Sequence, residues 1–225
     1  MEEFNNYSEV SSVDTSKTLI QTFFWMFLGL VSTALVAVVT YNSDAFIDII
    51  SMWPLLAIIE VVLVLVFHGT LRKASASVVT AIFFIYSMVN GLTFSAIFAV
   101  YDLGTIAYAF FATAALFGGL ALVGYKTQRD ISNIGTILFV GLIVGLVLSI
   151  FNIFIGSDGL SIMLDWLILA IFCGYTAYDI NKLKQMATSG EYPEEKVAIY
   201  CALELYLDFI NLFIRILRIL SRARE

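Results

Sequence analysis

Apolar residues form seven long runs along the chain, and short polar segments separate each run from the next. The runs cover about residues 18–40, 51–68, 77–100, 104–125, 134–155, 159–180 and 197–217. A helix of about 20 residues spans the hydrocarbon core of a bilayer, so these runs have the length needed to cross it. Because lipid offers no hydrogen bonds to the backbone, the spanning structure must be helical. The pattern therefore predicts an all-α membrane protein with seven transmembrane helices.

The composition excludes most classes of soluble protein. Hydrophobic residues make up 60% of the 225 residues and charged residues 13%, whereas soluble domains have about 25% charged residues. The net charge of −6 is unlike the basic surface of a nucleic-acid-binding protein, so no nucleic-acid partner is expected. His68 is the single histidine, which excludes metal or haem sites built from several histidines. No cofactor is expected.

Charges in the connecting segments predict how the helices are oriented. Basic residues follow the second, fourth and sixth runs, at Arg72, Lys73, Lys126, Arg129, Lys182, Lys184 and Lys196. The intervening segments contain no lysine or arginine, only the acids Asp44, Asp48, Asp102 and Asp158. Since basic loops stay in the cytoplasm, we expect a multi-pass protein of the cell membrane with a cytoplasmic N-terminus. Residues 1–16 would then be a short polar cytoplasmic tail, and residues 17–225 the transmembrane domain.

The C-terminal end of the chain conflicts with this orientation. If all seven runs cross the membrane, Arg218, Arg222 and Arg224 lie on the outer side, where basic residues are disfavoured. The length of the last run favours a full crossing. A re-entrant last run with a cytoplasmic tail is the alternative.

Ionisable side chains inside the runs are the first candidates for a functional site, because each costs about 2.5–3.5 kcal/mol at the centre of a membrane helix. They are Glu60 in the second run, Asp179 at the end of the sixth, and Glu204 and Asp208 in the seventh. In the seventh run, polar residues recur at helical spacing, at Glu204, Asp208, Asn211, Arg215 and Arg218. This spacing predicts a polar stripe on one helix face that avoids lipid.

Two of these carboxyl groups can meet. Asp179 and Asp208 become neighbours if the last two helices pack antiparallel across a loop of residues 181–196. Two carboxylates in contact at low dielectric cannot both ionise easily, so the pair would share a proton and act as a proton sensor. Two alternatives stay open: Asp179 caps the membrane interface, or Asp208 pairs with Arg215 inside the last helix, with Asn211 as a shared neighbour.

Four segments carry a resemblance to a known family. They are NGLTFSAIF (90–98), IFNIF (150–154), GYTAYDINKL (174–183) and LELYLDFINLFIRILR (203–218). Together with Glu60 inside the second run, they make the chain similar to the Bax inhibitor-1 (transmembrane Bax inhibitor motif) family, in particular its small bacterial members. The resemblance covers the chain from Lys17 onward, and the last segment is the most specific.

The resemblance implies a fold and a set of site residues. The family has seven helices with the last at the centre, and its bacterial members are pH-sensitive Ca2+ leak channels. Its proton-sensing aspartates match Asp179 and Asp208, and its acidic residue in the second helix matches Glu60. Carboxylate oxygens suit Ca2+, so these three are also expected Ca2+ contacts. The gating latch of the family matches less well: aligned on Glu60, its position holds Leu71, and we assign the latch to Arg72.

The expected function is a pH-gated Ca2+ leak pathway, with Ca2+ as the transported ion and the bilayer, Ca2+ and protons as partners. Glu204 is assigned with Glu60 to the ion pathway, and Asn211 and Arg215 to a supporting polar stripe. The alternative is a regulatory protein that modulates a membrane protease or a stress or cell-death factor through a membrane protein partner. An enzyme is not expected, because the GxGD motif of intramembrane aspartyl proteases is absent.

Overall fold

The computed structural model describes residues 15–129 and 131–223, apart from the side chains of residues 71, 72 and 132. All regular secondary structure within these ranges is helical. The helices described are α1 (Thr15–Tyr41), α2 (Phe46–Ser51), α3 (Trp53–Lys73), α4 (Ala76–Val100), α5 (Leu103–Lys126), α6 (Ser132–Ile155), α7 (Asp158–Ser189) and α8 (Glu194–Arg222). All except the short α2 are long and apolar enough to cross a membrane. The predicted fold class, an all-α protein with seven membrane-spanning helices, is confirmed.

Local sequence sets where several helices begin and end. Ser75, Asp102 and Ser157 precede α4, α5 and α7, and each side chain accepts a hydrogen bond from a backbone N–H of the first turn. The helices α6 and α7 end at Gly156 and Gly190, whose φ angles of +67° and +66° are left-handed. Glycine adopts this conformation without steric cost, so both helices stop and the chain reverses within a few residues.

Two features of the helices differ from the prediction. The short helix α2 lies in the first connection, where the apolar pattern gave no sign of it. The helix α7 continues to Ser189, so the predicted loop of residues 181–196 is wrong over its first half. Residues 181–189 contain no glycine or proline that would end the helix. Asn181 and Lys184 also donate to the Thr127 carbonyl at the end of α5, which holds this extension in place.

The last helix, α8, is the centre of the bundle. Buried residues lie on every face of it from Lys196 to Phe213. It packs against α1, α4, α5 and α7, and it meets α3 where Phe67 stacks on Tyr200 with ring centroids 5.5 Å apart. By contrast, α6 packs mainly on α7. The expectation of a central last helix is confirmed.

The bundle has two ends, which we define by α8. At the first end α8 begins, and Lys17 of α1 lies 3.1 Å from Glu194. At the second end α8 stops, and Arg222 donates to Asp165 near the start of α7. Between them α8 runs unbroken for 29 residues. Its length of about 43 Å exceeds the hydrocarbon thickness of about 30 Å, which favours a full crossing over the re-entrant alternative.

Candidate functional site

The contact between α7 and α8 places Asp179 beside Asp208. Asp208 is the middle residue of α8, and the two aspartates are only 7% and 3% exposed. Their carboxyl groups lie against each other and interact directly. Ionised carboxylates only accept hydrogen bonds, so the two groups can bond to each other only when one of them carries a proton. The arrangement can therefore hold one proton between two buried acids.

A charged pair lies one turn closer to the first end. Lys182, on the same face of α7 as Asp179, donates to Glu204 Oε1 at 2.5 Å. Glu204 precedes Asp208 by one turn of α8. Lys182 Nζ also lies 5.5 Å from the centre of the Tyr200 ring. With one proton on the aspartates, three carboxyl groups face one ammonium group, and the cluster keeps one net negative charge.

Asp179, Asp208 and Glu204 together form what we call the acidic cluster. Two of its buried oxygens lack a hydrogen-bond partner among the described residues. They are Glu204 Oε2 and Asp208 Oδ2. A buried acceptor without a donor costs about 1–3 kcal/mol, so such oxygens are favourable places for a proton, a water molecule or a cation. Both belong to residues assigned from the sequence, Glu204 to the ion pathway and Asp208 to the sensor.

The end of α3 lies against the same cluster. His68 Nε2 is 4.0 Å from Glu204 Oε1, and the preceding Phe67 stacks on Tyr200. Arg72, the predicted latch, follows His68 by one turn of α3, and its side chain lies outside the described residues. The helix end that carries Arg72 is therefore close to the acidic cluster, and its role as a latch stays a prediction.

Glu60 belongs to a separate polar cluster. Thr93 Oγ1 of α4 donates to Glu60 Oε1 at 2.8 Å, and the Asn90 side chain lies near the same carboxylate. Tyr206 of α8 donates to Asn90 Oδ1 at 3.1 Å. Neutral polar side chains thus lie between Glu60 and the central helix. The structure does not bring Glu60 to Asp179 or Asp208.

This separation bears on the expected Ca2+ contacts, which stay a prediction. In the part of the chain that the structure describes, no three histidine, cysteine, aspartate or glutamate side chains could together hold a metal ion. Glu60 is bound to α4, whereas Asp179 and Asp208 lie against each other between α7 and α8. The three predicted contacts therefore do not form one ligand set in this arrangement.

The polar stripe of α8 divides between two sets of partners. Glu204 and Asp208 face α7 near the first end, as described above. Asn211 donates to the Leu207 carbonyl of its own helix at 2.8 Å, and Arg215 donates to Asp165 of α7 at 2.9 Å. The alternative in which Asp208 pairs with Arg215 is therefore not what the structure shows. Arg215 supports the α7–α8 contact rather than the aspartates.

Sequence reasoning missed two charged residues, Lys182 and Asp165. The apolar pattern predicts that α7 ends at Ile180, which makes Lys182 a basic loop residue, whereas the helix continues to Ser189. Asp165 lies within the sixth apolar run, fully buried, and binds three arginines of α8. Asp165 carries the same sequence signal as Glu60, a charged residue inside an apolar run.

Comparison with known proteins identifies the family. Residues 15–225 match the family model described as Inhibitor of apoptosis-promoting Bax1, the Bax inhibitor-1 family. The chain belongs to this family. It is 39% identical over 214 residues to the Inner membrane protein YbhL of Escherichia coli strain K12, covering 92% of each chain. It is 36% identical over 217 residues to an uncharacterized protein of Borreliella burgdorferi, covering 93% of this chain and 94% of the relative.

A shorter match to a Bax inhibitor-1 relative supports the membrane location. The chain is 42% identical over 168 residues to an uncharacterized membrane protein of Streptococcus pyogenes serotype M6, covering 74% of this chain and 72% of the relative. The Escherichia coli and Streptococcus relatives are both named as membrane proteins. With the seven apolar helices, these names confirm a multi-pass membrane protein of the Bax inhibitor-1 family.

Proposed function

We propose that this chain forms a pH-gated leak pathway for cations, with Ca2+ as the transported ion and Asp179 and Asp208 as the proton sensor. The observation that carries the proposal is the contact between these two buried carboxyl groups at the centre of the bundle. The two groups can form a hydrogen bond only while the pair holds a proton, so we expect the contact between α7 and α8 to depend on pH.

Loss of this proton changes the charge balance beside α3. With both aspartates ionised, two negative charges are in contact and Glu204 adds a third, whereas Lys182 supplies one positive charge. A cation from the end of α3 then gains a favourable partner, and we assign this role to Arg72. The pairing holds α3 against α8 in a closed state. Protonation restores the aspartate pair, releases α3 and opens the path.

The acidic side chains favour a cation as the passing ion. Ca2+ prefers oxygen ligands, and Glu204 and Asp208 each have a buried oxygen without a protein donor among the described residues. Glu60 supplies a further carboxylate on the α4 side of the bundle. A leaking ion needs several weak sites along its path rather than one tight site, which agrees with the separation of these carboxylates.

The basic connecting segments lie at the first end, where Lys184 donates to the Thr127 carbonyl beyond the end of α5. We therefore place the first end, and with it the N-terminus, in the cytoplasm by the positive-inside rule. Asp179 lies about 15 Å along α7 from its cytoplasmic terminus, Ser189. The sensor then lies closer to the cytoplasmic surface than to the outer one along this helix, and cytoplasmic pH is the variable it follows.

Proteoliposomes that contain the purified protein and a trapped Ca2+ indicator test this proposal. We expect Ca2+ entry to rise as the pH falls, and the double variant Asp179→Asn with Asp208→Asn to lose this pH dependence. Asp44→Asn, which changes the charge of an exposed aspartate in the first connection, is the matched control and should keep the wild-type profile.

Two results would overturn the proposal. An unchanged pH profile in the double variant would remove the sensor. Absence of Ca2+ flux from purified wild-type protein at every pH, with one stoichiometric membrane protein recovered from cells, would favour the regulatory alternative. No enzymatic activity is part of this proposal.

A further inference from the structure

Three arginines converge on one buried carboxylate near the second end of the bundle. Asp165 of α7 forms ion pairs with three arginines. The distances from arginine Nη1 to a carboxylate oxygen are 2.9 Å for Arg215, 3.1 Å for Arg218 and 2.5 Å for Arg222. The arginines are spaced three and four residues apart, so they occupy one face of α8. Together with Asp165 they carry two net positive charges. We call these four residues the arginine cluster.

The arginine cluster has more donors than Asp165 uses. A guanidinium group has five N–H donors, and Asp165 is contacted by one nitrogen of each arginine. Arg215 Nε is buried and has no hydrogen-bond partner among the described residues. A buried charged donor without an acceptor is costly, so the cluster favours an additional anion.

A cavity adjoins this surplus of donors. It has a volume of about 430 Å³, lies between the end of α6, the start of α7 and the end of α8, and is lined by Arg215 and Arg218. The hydroxyl and amide side chains of Ser149, Asn152 and Ser161 also line it. Asp158 adds one negative charge to the lining, so the cavity and the arginine cluster together keep one net positive charge.

The position of the cavity indicates where its ligand comes from. Ile153, one of the lining residues, is 74% exposed, and the neighbouring Phe154 and Ile155 are exposed as well. Such apolar side chains on an outer helix face lipid. The cavity therefore combines a polar floor with an apolar rim at the ends of three spanning helices. This is the level of a bilayer at which phospholipid headgroups lie, and a pocket with net positive charge attracts their phosphate groups.

We propose that this cavity binds the phosphate group of a phospholipid, with the guanidinium groups of Arg218 and Arg215, which both line it, as donors. Guanidinium groups match phosphate oxygens with paired N–H donors, which makes arginine suited to this ligand. The acyl chains lie along the exposed apolar face of α6, and the net positive charge favours a headgroup without a cationic substituent. The proposal does not depend on ion transport.

Binding to the purified full-length protein in detergent tests the proposal with three probes. They are phosphatidylglycerol, diacylglycerol with the same acyl chains, and inorganic phosphate. Native mass spectrometry measures retained lipid, and the shift in thermal unfolding temperature gives an apparent Kd. We expect phosphatidylglycerol to bind and stabilise the protein and diacylglycerol to do neither, because it lacks the phosphate.

Three variants locate the site. Arg218→Gln should weaken phosphatidylglycerol binding by about tenfold, the loss expected for one charge-assisted hydrogen bond. Ser149→Phe fills the cavity and keeps every charge, so it should abolish binding in a folded protein. Arg129→Gln removes the same charge from the opposite end of the bundle and should bind like the wild type.

The outcomes separate the sources of the phosphate group. Wild-type binding of phosphatidylglycerol that is lost in Ser149→Phe supports the lipid site. Equal retention of diacylglycerol, or binding unaffected by both Arg218→Gln and Ser149→Phe, would overturn it. Stabilisation by inorganic phosphate alone would also overturn the lipid assignment, since it would make the ligand a free anion.

Discussion

Lys182 of α7 donates to Glu204 of α8 at 2.5 Å, and this ion pair borders the Asp179–Asp208 contact on its first-end side. Each member lies about one turn from an aspartate on its own helix. Lys182 is the cation that these three acids share, so its position sets how much negative charge the centre of the bundle carries. The pair therefore links the packing of α7 on α8 to the protonation of the aspartates.

Replacing Lys182 with methionine should destabilise the protein by leaving Glu204 buried without its cation. The loss of one partner from a fully buried pair costs about 3–5 kcal/mol. Because the Lys182 side chain is 31% exposed, we expect a smaller loss, about 1–3 kcal/mol. Adding Glu204→Gln removes the uncompensated charge and should restore part of the stability. Thermal unfolding of the wild type, both single variants and the double variant measures the coupling, and strictly additive losses would contradict it.

The shared proton of Asp179 and Asp208 should be visible by infrared spectroscopy. A protonated carboxylic acid has a carbonyl band distinct from the bands of a carboxylate. We expect this band in the wild type under mildly acidic conditions and its loss as the pH rises, because the pair then gives up its proton. Asp208→Asn should change the pH at which this band disappears, since Asp179 then lacks its acid partner. Asp44→Asn should leave the pH dependence as in the wild type. A band with the wild-type pH dependence in Asp208→Asn would assign the proton to another group.

The arginine cluster should be among the most sensitive parts of the fold. Asp165→Asn leaves Arg215, Arg218 and Arg222 without their shared counter-charge, and the expected loss is about 3–5 kcal/mol. Asp158→Asn changes an exposed acid in the first turn of α7 and should cost less than about 1 kcal/mol. Thermal unfolding in detergent compares the two. Similar losses for both variants would mean that Asp165 does not hold the end of α8.

The features predicted from the sequence are those that depend on chemistry within one segment. Apolar runs are long because each must span the bilayer, and a carboxyl group such as Asp208 is conspicuous because it is costly there. The antiparallel packing of consecutive helices then brings Asp179 near Asp208. These inferences need no knowledge of which helix faces which.

The features that were missed depend on contacts between distant segments. Lys182 becomes a site residue because α7 extends past Ile180, and the extension is held by the Thr127 carbonyl of another helix. Glu60 accepts a hydrogen bond from Thr93 and lies near Asn90, and both are neutral residues that are unremarkable in a membrane helix. Such partners follow from the relative rotation of α3 and α4, which apolar periodicity does not determine when lipid and protein faces are both apolar.

Close packing of α5 on α7 should control the position of Asp179. A Cβ atom at Gly124 would overlap the backbone carbonyl of Ala177, which cannot move without α7. We expect Gly124→Ala to destabilise the protein by about 1–3 kcal/mol and to alter the pH profile of Ca2+ flux. Gly118, on the same helix, has open space around its Cβ position. Gly118→Ala should therefore be neutral or stabilising by up to about 1 kcal/mol, and a loss equal to that of Gly124→Ala would contradict the packing explanation.

Glu60 and Asp208 should have separable effects on ion flux. Glu60 hydrogen-bonds to α4 and is not joined to the aspartate pair, so Glu60→Gln should lower the Ca2+ rate severalfold and leave the midpoint of the pH profile unchanged. Asp208→Asn should keep the Ca2+ rate and flatten the pH profile. Thr93→Val is the matched control: it removes a hydrogen bond to Glu60 but keeps the carboxylate, so its rate should exceed that of Glu60→Gln. Proteoliposome flux measured over a pH series gives both quantities. A midpoint that shifts in Glu60→Gln would show that Glu60 belongs to the sensor, because a residue acting only along the ion path changes the rate and not the protonation equilibrium.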